Sequence, residues 1–178
     1  MYVELKHIKG GQLEQEHTCD PGDFPELAVL SKEHGAAYDG PVQIFLRFRQ
    51  SARMVEVDGR LQATLVVTCG RCLGAFQYEL AESFALTFVP DQGEEDSAAE
   101  RELEYNELGM IPYRDDRLEL LEPLQEQLIM AIPIRALCND HCRGLCPECG
   151  ADLNHSSCDC EKKLFNSKFG VLAQLKGQ

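Results

Sequence analysis

The sequence predicts an α+β fold: an antiparallel β-meander or partly open barrel, packed by one main helix and followed by a C-terminal cysteine-rich segment. Three observations predict it. Between residues 42 and 89 apolar side chains recur at every second position, the period of a strand with one buried face. A helix-period row follows, Leu121, Leu124, Leu128 and Ile132, and Pro133 stops it. Six of the nine cysteines then fall within residues 138–160. Residues 1–137 are expected to form the sheet domain with its packing helix. Residues 138–178 are expected to form the cysteine-rich segment and a short terminal helix, as part of one structural unit.

Each element has its own signal. Residues 3–8 read as a first strand. Residues 10–40 carry scattered turn residues, with a short helix expected over 24–30. Val42, Ile44, Leu46 and Phe48 share one face of a strand, with Gln43, Arg47 and Arg49 opposite and Phe45 as an exception. After Met54-Val55-Glu56-Val57, the Asp58-Gly59 dipeptide predicts a two-residue hairpin turn, because both residues tolerate positive φ. The return strand places Leu61, Ala63, Leu65, Val67 and Cys69 on one face. Phe76, Tyr78, Leu80, Phe84, Leu86 and Phe88 keep one parity, which predicts a single long, bent strand. Residues 91–107 hold eight acids and one arginine and almost nothing apolar, which predicts a solvated loop. Asp115-Asp116 and Glu122-Pro123 look like helix-start chemistry. Phe169, Leu172 and Leu175 make a short amphipathic tail.

Composition removes several function classes. The 17 basic and 30 acidic side chains of the 178-residue chain leave a formal charge of −13. That balance disfavours a general nucleic-acid coat, which needs a basic surface to displace counterions, and docking on anionic membranes. No apolar run reaches the ~18 residues of a membrane span. The first residues lack the apolar stretch of a secretory signal, so a cytoplasmic location is expected. Disulfides are rare there, and clustered cysteines read as metal ligands or redox centres.

Cys146-Pro147-Glu148-Cys149-Gly150 aims two thiolates at one point, with the glycine relieving the backbone behind the second. This is a zinc-knuckle turn, and Zn²⁺ takes four such ligands in a tetrahedron. The expected structural zinc draws four ligands from Cys138, Cys142, Cys146, Cys149, Cys158 and Cys160. The favoured set is Cys138, Cys142, Cys146 and Cys149, with Cys158 and Cys160 as the alternative pair. His141 and His155 are substitute ligands. Cys69-Gly70-Arg71-Cys72 is a candidate second half-site. Its other readings are a redox pair or a packed turn; a thioredoxin-like pair wants a helix after its first cysteine, and a β-patterned run follows here. Cys19 stands alone and reads as an ordinary thiol.

The chain carries no His-Glu-x-x-His, phosphate loop or Gly-x-Ser-x-Gly, and no catalytic residue or small-molecule substrate is expected. Arg47, Arg49, Arg53, Arg60 and Arg71 outnumber two acids between residues 42 and 75 and are candidate RNA or partner contacts. Lys162, Lys163, Lys168 and Lys176 form a second basic stretch.

Two separated motifs resemble one family. The string Val67-Thr68-Cys69-Gly70-Arg71-Cys72-Leu73, and the string from Cys142 through Cys146-Pro147-Glu148-Cys149-Gly150 to Asn154, are similar to those of the bacterial YceD family of large ribosomal RNA subunit accumulation proteins. The apolar helix before Pro133 and the ending Phe169-Gly170-Val171-Leu172 sit where the family has them. One departure is that many members carry Asp-Pro-Arg before the final helix, where this chain has Asn166-Ser167-Lys168. Some members lack the C-terminal cysteines, which implies a stabilising metal. The resemblance implies a non-enzymatic role in synthesis, processing or accumulation of the large-subunit ribosomal RNA. The implied partner is a large-subunit precursor, through its rRNA or a ribosomal protein. Two alternatives stand beside it: a chaperone-like binder of a basic large-subunit ribosomal protein, for which −13 suits the partner, and a zinc- or thiol-dependent enzyme.

Overall fold

A computed structural model describes residues 1–27, 29, 36–91 and 109–160. The acidic stretch from residue 92 onward and the tail after residue 160 lie outside the described residues, as does part of the short helix expected over 24–30. Residues 25–27 of that expected helix are helical.

The principal sheet is built on three long neighbours: β4 (Val42–Ser51), β5 (Met54–Thr68) and β6 (Ala75–Pro90). Each alternates buried and exposed side chains along much of its length, as the sequence parity requires. β2 (Gln12–Cys19) pairs with β4, and the two-residue β3 (Ala37–Tyr38) pairs with the far end of β5. β7 (Met110–Tyr113) adds to β6, giving the order β2-β4-β5-β6-β7 with β3 beside β5. Among the described residues the sheet is open, with β2 and β7 as its edges, and it does not close into a barrel. β1 (Tyr2–Glu4) and β8 (Arg117–Glu119) form a separate two-stranded ribbon, in which the buried Val3 and Leu118 face each other. The main helix among the described residues, α1 (Leu121–Met130), follows directly. No helix among the described residues is long and apolar enough to cross a membrane.

Several expectations are corrected. Asp58-Gly59 is not a turn; it lies inside β5. A turn there would pair Val57 with Arg60 and Val55 with Gln62, setting apolar side chains beside polar ones on a single face. The chain instead turns at Ala52-Arg53, where Ala52 takes φ 54°, and pairs Phe48 with Val57, Ile44 with Leu61 and Arg47 with Asp58. Gly59 serves packing: a Cβ there would lie 2.0 Å from the ring of Phe84, its partner on β6.

Asp115-Asp116 does not start a helix. Both residues have positive φ, 52° and 53°, and they turn the chain between β7 and β8, with Arg114 bridged to Arg117. Not every pairing is antiparallel: β7 runs parallel to β6. The chain between Pro90 and Met110 is longer than the dozen or so residues that a parallel connection needs. β2 lies inside the turn-rich stretch, and the first strand ends at Glu4, followed by a 3₁₀ turn over Leu5–His7.

The core joins both sheets to α1. Leu120, Leu124 and Leu128 are fully buried, four residues apart, while Leu121 is exposed, so the packed row begins one residue earlier than expected. α1 ends at Met130, three residues before Pro133. Two polar anchors fix the helix. The Tyr38 hydroxyl donates to the Leu128 carbonyl at 2.8 Å, and the buried Gln125 side-chain oxygen accepts from the Glu26 N–H at 3.0 Å. This placement sends the chain after α1 back past the turn that joins β5 to β6.

Candidate metal centres

Cys69 follows the last residue of β5, fully buried, and opens a tight turn. Its N–H donates to the Gly74 carbonyl at 2.9 Å and its carbonyl accepts from Leu73 N–H at 3.0 Å. Leu73 holds a left-handed conformation, φ 58°. The Arg71 N–H points at Cys69 Sγ, 3.4 Å away. The returning chain docks here. Gly70 N–H donates to the Ala136 carbonyl at 2.9 Å, and Leu145 N–H to the Arg71 carbonyl at 3.2 Å. The Arg71 guanidinium completes the clamp, donating to the carbonyls of Asp140 (3.0 Å) and Cys142 (2.9 Å).

This docking divides the eight clustered thiols into two sets. Cys69, Cys72, Cys138 and Cys142 form a proximal set against the sheet; Cys146, Cys149, Cys158 and Cys160 form a distal set. Within each, the sulfurs all lie within 4.8 Å of one another. In the proximal set Cys69 and Cys142 sulfurs are 3.8 Å apart, as are those of Cys72 and Cys138. Four sulfurs ~2.3 Å from a tetrahedral zinc stand ~3.8 Å from each other, whereas a disulfide needs ~2.05 Å. All nine cysteines are free. Each set can therefore hold a metal ion. The favoured grouping of Cys138 and Cys142 with Cys146 and Cys149 is not the one assembled. The half-site Cys69-Cys72, 66 residues from Cys138 in the chain, supplies the missing pair.

The distal knuckle repeats the local logic of the proximal turn. Cys146 N–H donates to the Ala151 carbonyl at 2.8 Å, and its carbonyl accepts from Gly150 N–H at 2.9 Å, with Gly150 at φ 73°. Backbone N–H groups converge on the first sulfur of each pair. Those of Cys72, then Cys138 and Arg71, hold the Cys69 thiol down to about 6. Those of Cys149 and then Glu148 do the same for Cys146, also to about 6. The remaining thiols crowd these. Cys138 is pushed up to about 12, chiefly by the Cys142 thiol, and Cys160 to about 12, chiefly by the Cys149 thiol. Four sulfurs packed this closely ionise together only with a cation among them.

The other candidate residues fall elsewhere. His141 and His155 belong to neither set. Cys19 is buried in the apolar core, and burial raises its thiol. The five arginines are not gathered on one surface. On the outer sheet face Arg47 is paired with Glu14 at 2.7 Å, and Arg49 with Asp58 (2.9 Å) and Glu56 (3.3 Å). Arg60 lies on the same face, opposite Phe45; Arg53 is in the β4–β5 turn, and Arg71 is in the clamp.

Gly144 marks where the two halves of the site meet. It has φ 73°, and a Cβ there would stand 2.9 Å from the Arg71 carbonyl oxygen, a backbone atom. Gly144→Ala is therefore expected to cost about 1–2 kcal/mol from the left-handed conformation, with the clash in addition, and to loosen residues 138–160. Limited proteolysis checks this; unchanged resistance would show that the Arg71–Gly144 approach carries no stability.

A model of the protein family described as "Large ribosomal RNA subunit accumulation protein YceD" matches residues 57–176. The chain is also similar to an uncharacterized protein of Mycobacterium tuberculosis (strain H37Rv), 30% identical over 131 residues, covering 71% of this chain and 56% of the relative. An uncharacterized protein of Mycobacterium leprae is 30% identical over 132 residues, 72% of this chain and 54% of the relative. From Arabidopsis thaliana, "Large ribosomal RNA subunit accumulation protein YCED homolog 1, chloroplastic" is 23% identical over 158 residues, 78% and 49%. The chain spans about half the length of the curated relatives it matches. No solved structure matches it.

Proposed function

The chain belongs to the YceD family, and from that premise we propose that it is a zinc-stapled, non-enzymatic factor in large-subunit ribosomal RNA accumulation, acting on a precursor of that subunit in the cytoplasm. The observation that carries the zinc assignment is the closure of eight thiols into two all-sulfur sets. Tetrahedral sulfur sites suit zinc or iron–sulfur centres, and the knuckle turn favours zinc. A zinc with four protein ligands has no open position for a reacting water, which supports a structural role. Loaded zinc would neutralise the crowded thiolates and fasten residues 138–160 to the β5–β6 turn. On this reading the proximal centre spans the composition change near residue 137, taking two ligands from each side of it, and fastens the cysteine-rich segment to a sheet that folds without it.

A second reading has an observation in its favour. Arg47 and Arg49 already carry carboxylate partners, and the Arg71 guanidinium is engaged by backbone carbonyls. That leaves these arginines less available to phosphate and favours contact with a basic large-subunit ribosomal protein, in keeping with the chain's charge of −13.

Affinity capture from cells with and without RNase tests both. The precursor is expected in the untreated sample, and recovery of no large-subunit component would overturn the proposal. A basic ribosomal protein retained after RNase selects the second reading; its loss with the RNA selects direct RNA contact. Pure protein incubated with precursor RNA is expected to leave its length unchanged. Cleavage that stops with chelator would make the protein an enzyme.

A further inference from the structure

Asn154 stands between the distal ligands Cys149 and Cys158, yet its side chain reaches a sulfur of the other set. One Nδ2 hydrogen goes to the Asp152 carboxylate at 2.8 Å; Nδ2 also donates to Cys142 Sγ at 3.4 Å. The side chain is held at every polar atom. Its Oδ1 accepts from the Arg143 N–H at 2.7 Å, and the same Asp152 oxygen accepts from the Asn154 backbone N–H at 2.9 Å. Asp152 is itself anchored: its residue bridges Leu145, and its carbonyl accepts from Ser156. Cys142, the recipient, is only 4% exposed and lies 3.8 Å from Cys69 Sγ.

We propose that Asn154 is a positioning residue that couples the two centres, so that closing the distal centre raises the metal affinity of the proximal one. This rests on the reading of both thiol sets as metal centres. The physical path is short. Four distal ligands bracket the loop that carries Asp152 and Asn154, and a closed loop presents the amide to Cys142. An N–H donated to a ligating thiolate offsets part of its charge and fixes its direction toward the metal. Losing such an outer partner typically weakens metal binding by about 10–100-fold. Because coupling between binding sites is reciprocal, a filled proximal centre raises distal affinity by the same factor.

Cobalt(II) is the probe, titrated into the reduced full-length chain against a competing chelator, with thiolate-to-cobalt absorption as the readout. Wild type is expected to take up two equivalents. Asn154→Ala and Asn154→Asp both remove the N–H that reaches Cys142, while the aspartate keeps an acceptor for Arg143. Each is expected to weaken the proximal equivalent about 10–100-fold. Deleting the distal centre (Cys146→Ser with Cys149→Ser) is expected to weaken the proximal centre similarly, and adding Asn154→Ala to that deletion to change little more. Proximal affinity that is unchanged in the Asn154 variants or in the distal deletion overturns the coupling. So does an Asn154→Ala effect that adds in full to the deletion. A wild-type chain that binds no cobalt overturns the metal reading itself, and one that binds a single equivalent overturns the two-centre arrangement.

Discussion

Replacing Cys69 with serine is expected to remove one of two bound zinc ions and to free residues 138–160 from the sheet. Cys69 is the sulfur that the end of β5 brings to the proximal set. It directly follows β5, is fully buried, and is the sulfur on which the backbone N–H groups of its turn converge. Site formation in zinc peptides is worth about 10–16 kcal/mol apparent, so one lost ligand outweighs the few hydrogen bonds that otherwise dock this segment. Cys146→Ser is expected to behave differently. It should also cost one zinc, but protease should then cut within residues 146–160 first, because the clamp at Arg71 and the proximal set remain. Metal analysis and limited proteolysis of the two variants check this. Full zinc content and full protease resistance in Cys69→Ser would remove Cys69 from the ligands. Identical cleavage patterns in the two variants would show that the sets do not anchor different stretches.

The second large effect separates metal from core. Complete chelation is expected to leave most of the β signal in circular dichroism intact, whereas Phe48→Ala is expected to destabilise the sheet by about 3–5 kcal/mol. The apolar cluster joining β2, β4, β5, β6 and α1 includes Phe48, Val57, Phe88 and Leu124, all at most 1% exposed, and none of the eight clustered thiols. Of its buried members only Ala136, at the threshold of the cysteine-rich segment, lies beyond α1. Thermal unfolding followed at a β wavelength, with and without chelator, gives both numbers. A cooperative loss of the whole spectrum on chelation would show that the metal centres and the sheet are one folding unit.

How much of this was legible in the sequence depends on the range of the interaction. Strand parity is local, and it held: the buried row of β4 and the long β6 follow from alternation alone. Even the misplaced turn was readable. Val55, Val57 and Leu61 keep one parity across Asp58-Gly59, and only a turn at Ala52-Arg53 sets Phe48 beside Val57 and Arg47 beside Asp58. The Asp-Gly preference is a backbone tendency, and cross-strand pairing outweighed it. β2 was harder to see, because its partly buried positions include Gln15 and His17 beside Leu13, and pairing with β4 decides their environment.

The chemistry of the site was also local. Two thiolates on a Cys-x-x-Cys turn converge whatever surrounds them, so residue order alone identifies metal-competent sulfur pairs carried on a β-rich scaffold with one packing helix. Which pairs join was decided only in three dimensions. Nearness along the chain suggested Cys138 and Cys142 with the knuckle that follows them. But α1, held by Leu120, Leu124 and Leu128 and by the Tyr38 hydroxyl, delivers Ala136 to the Gly70 N–H and thereby sets Cys138 and Cys142 against Cys69 and Cys72. A tetrahedral ligand set is chosen by distances of a few ångströms between side chains, and those distances are set by how a helix packs on a sheet, which no spacing of cysteines encodes.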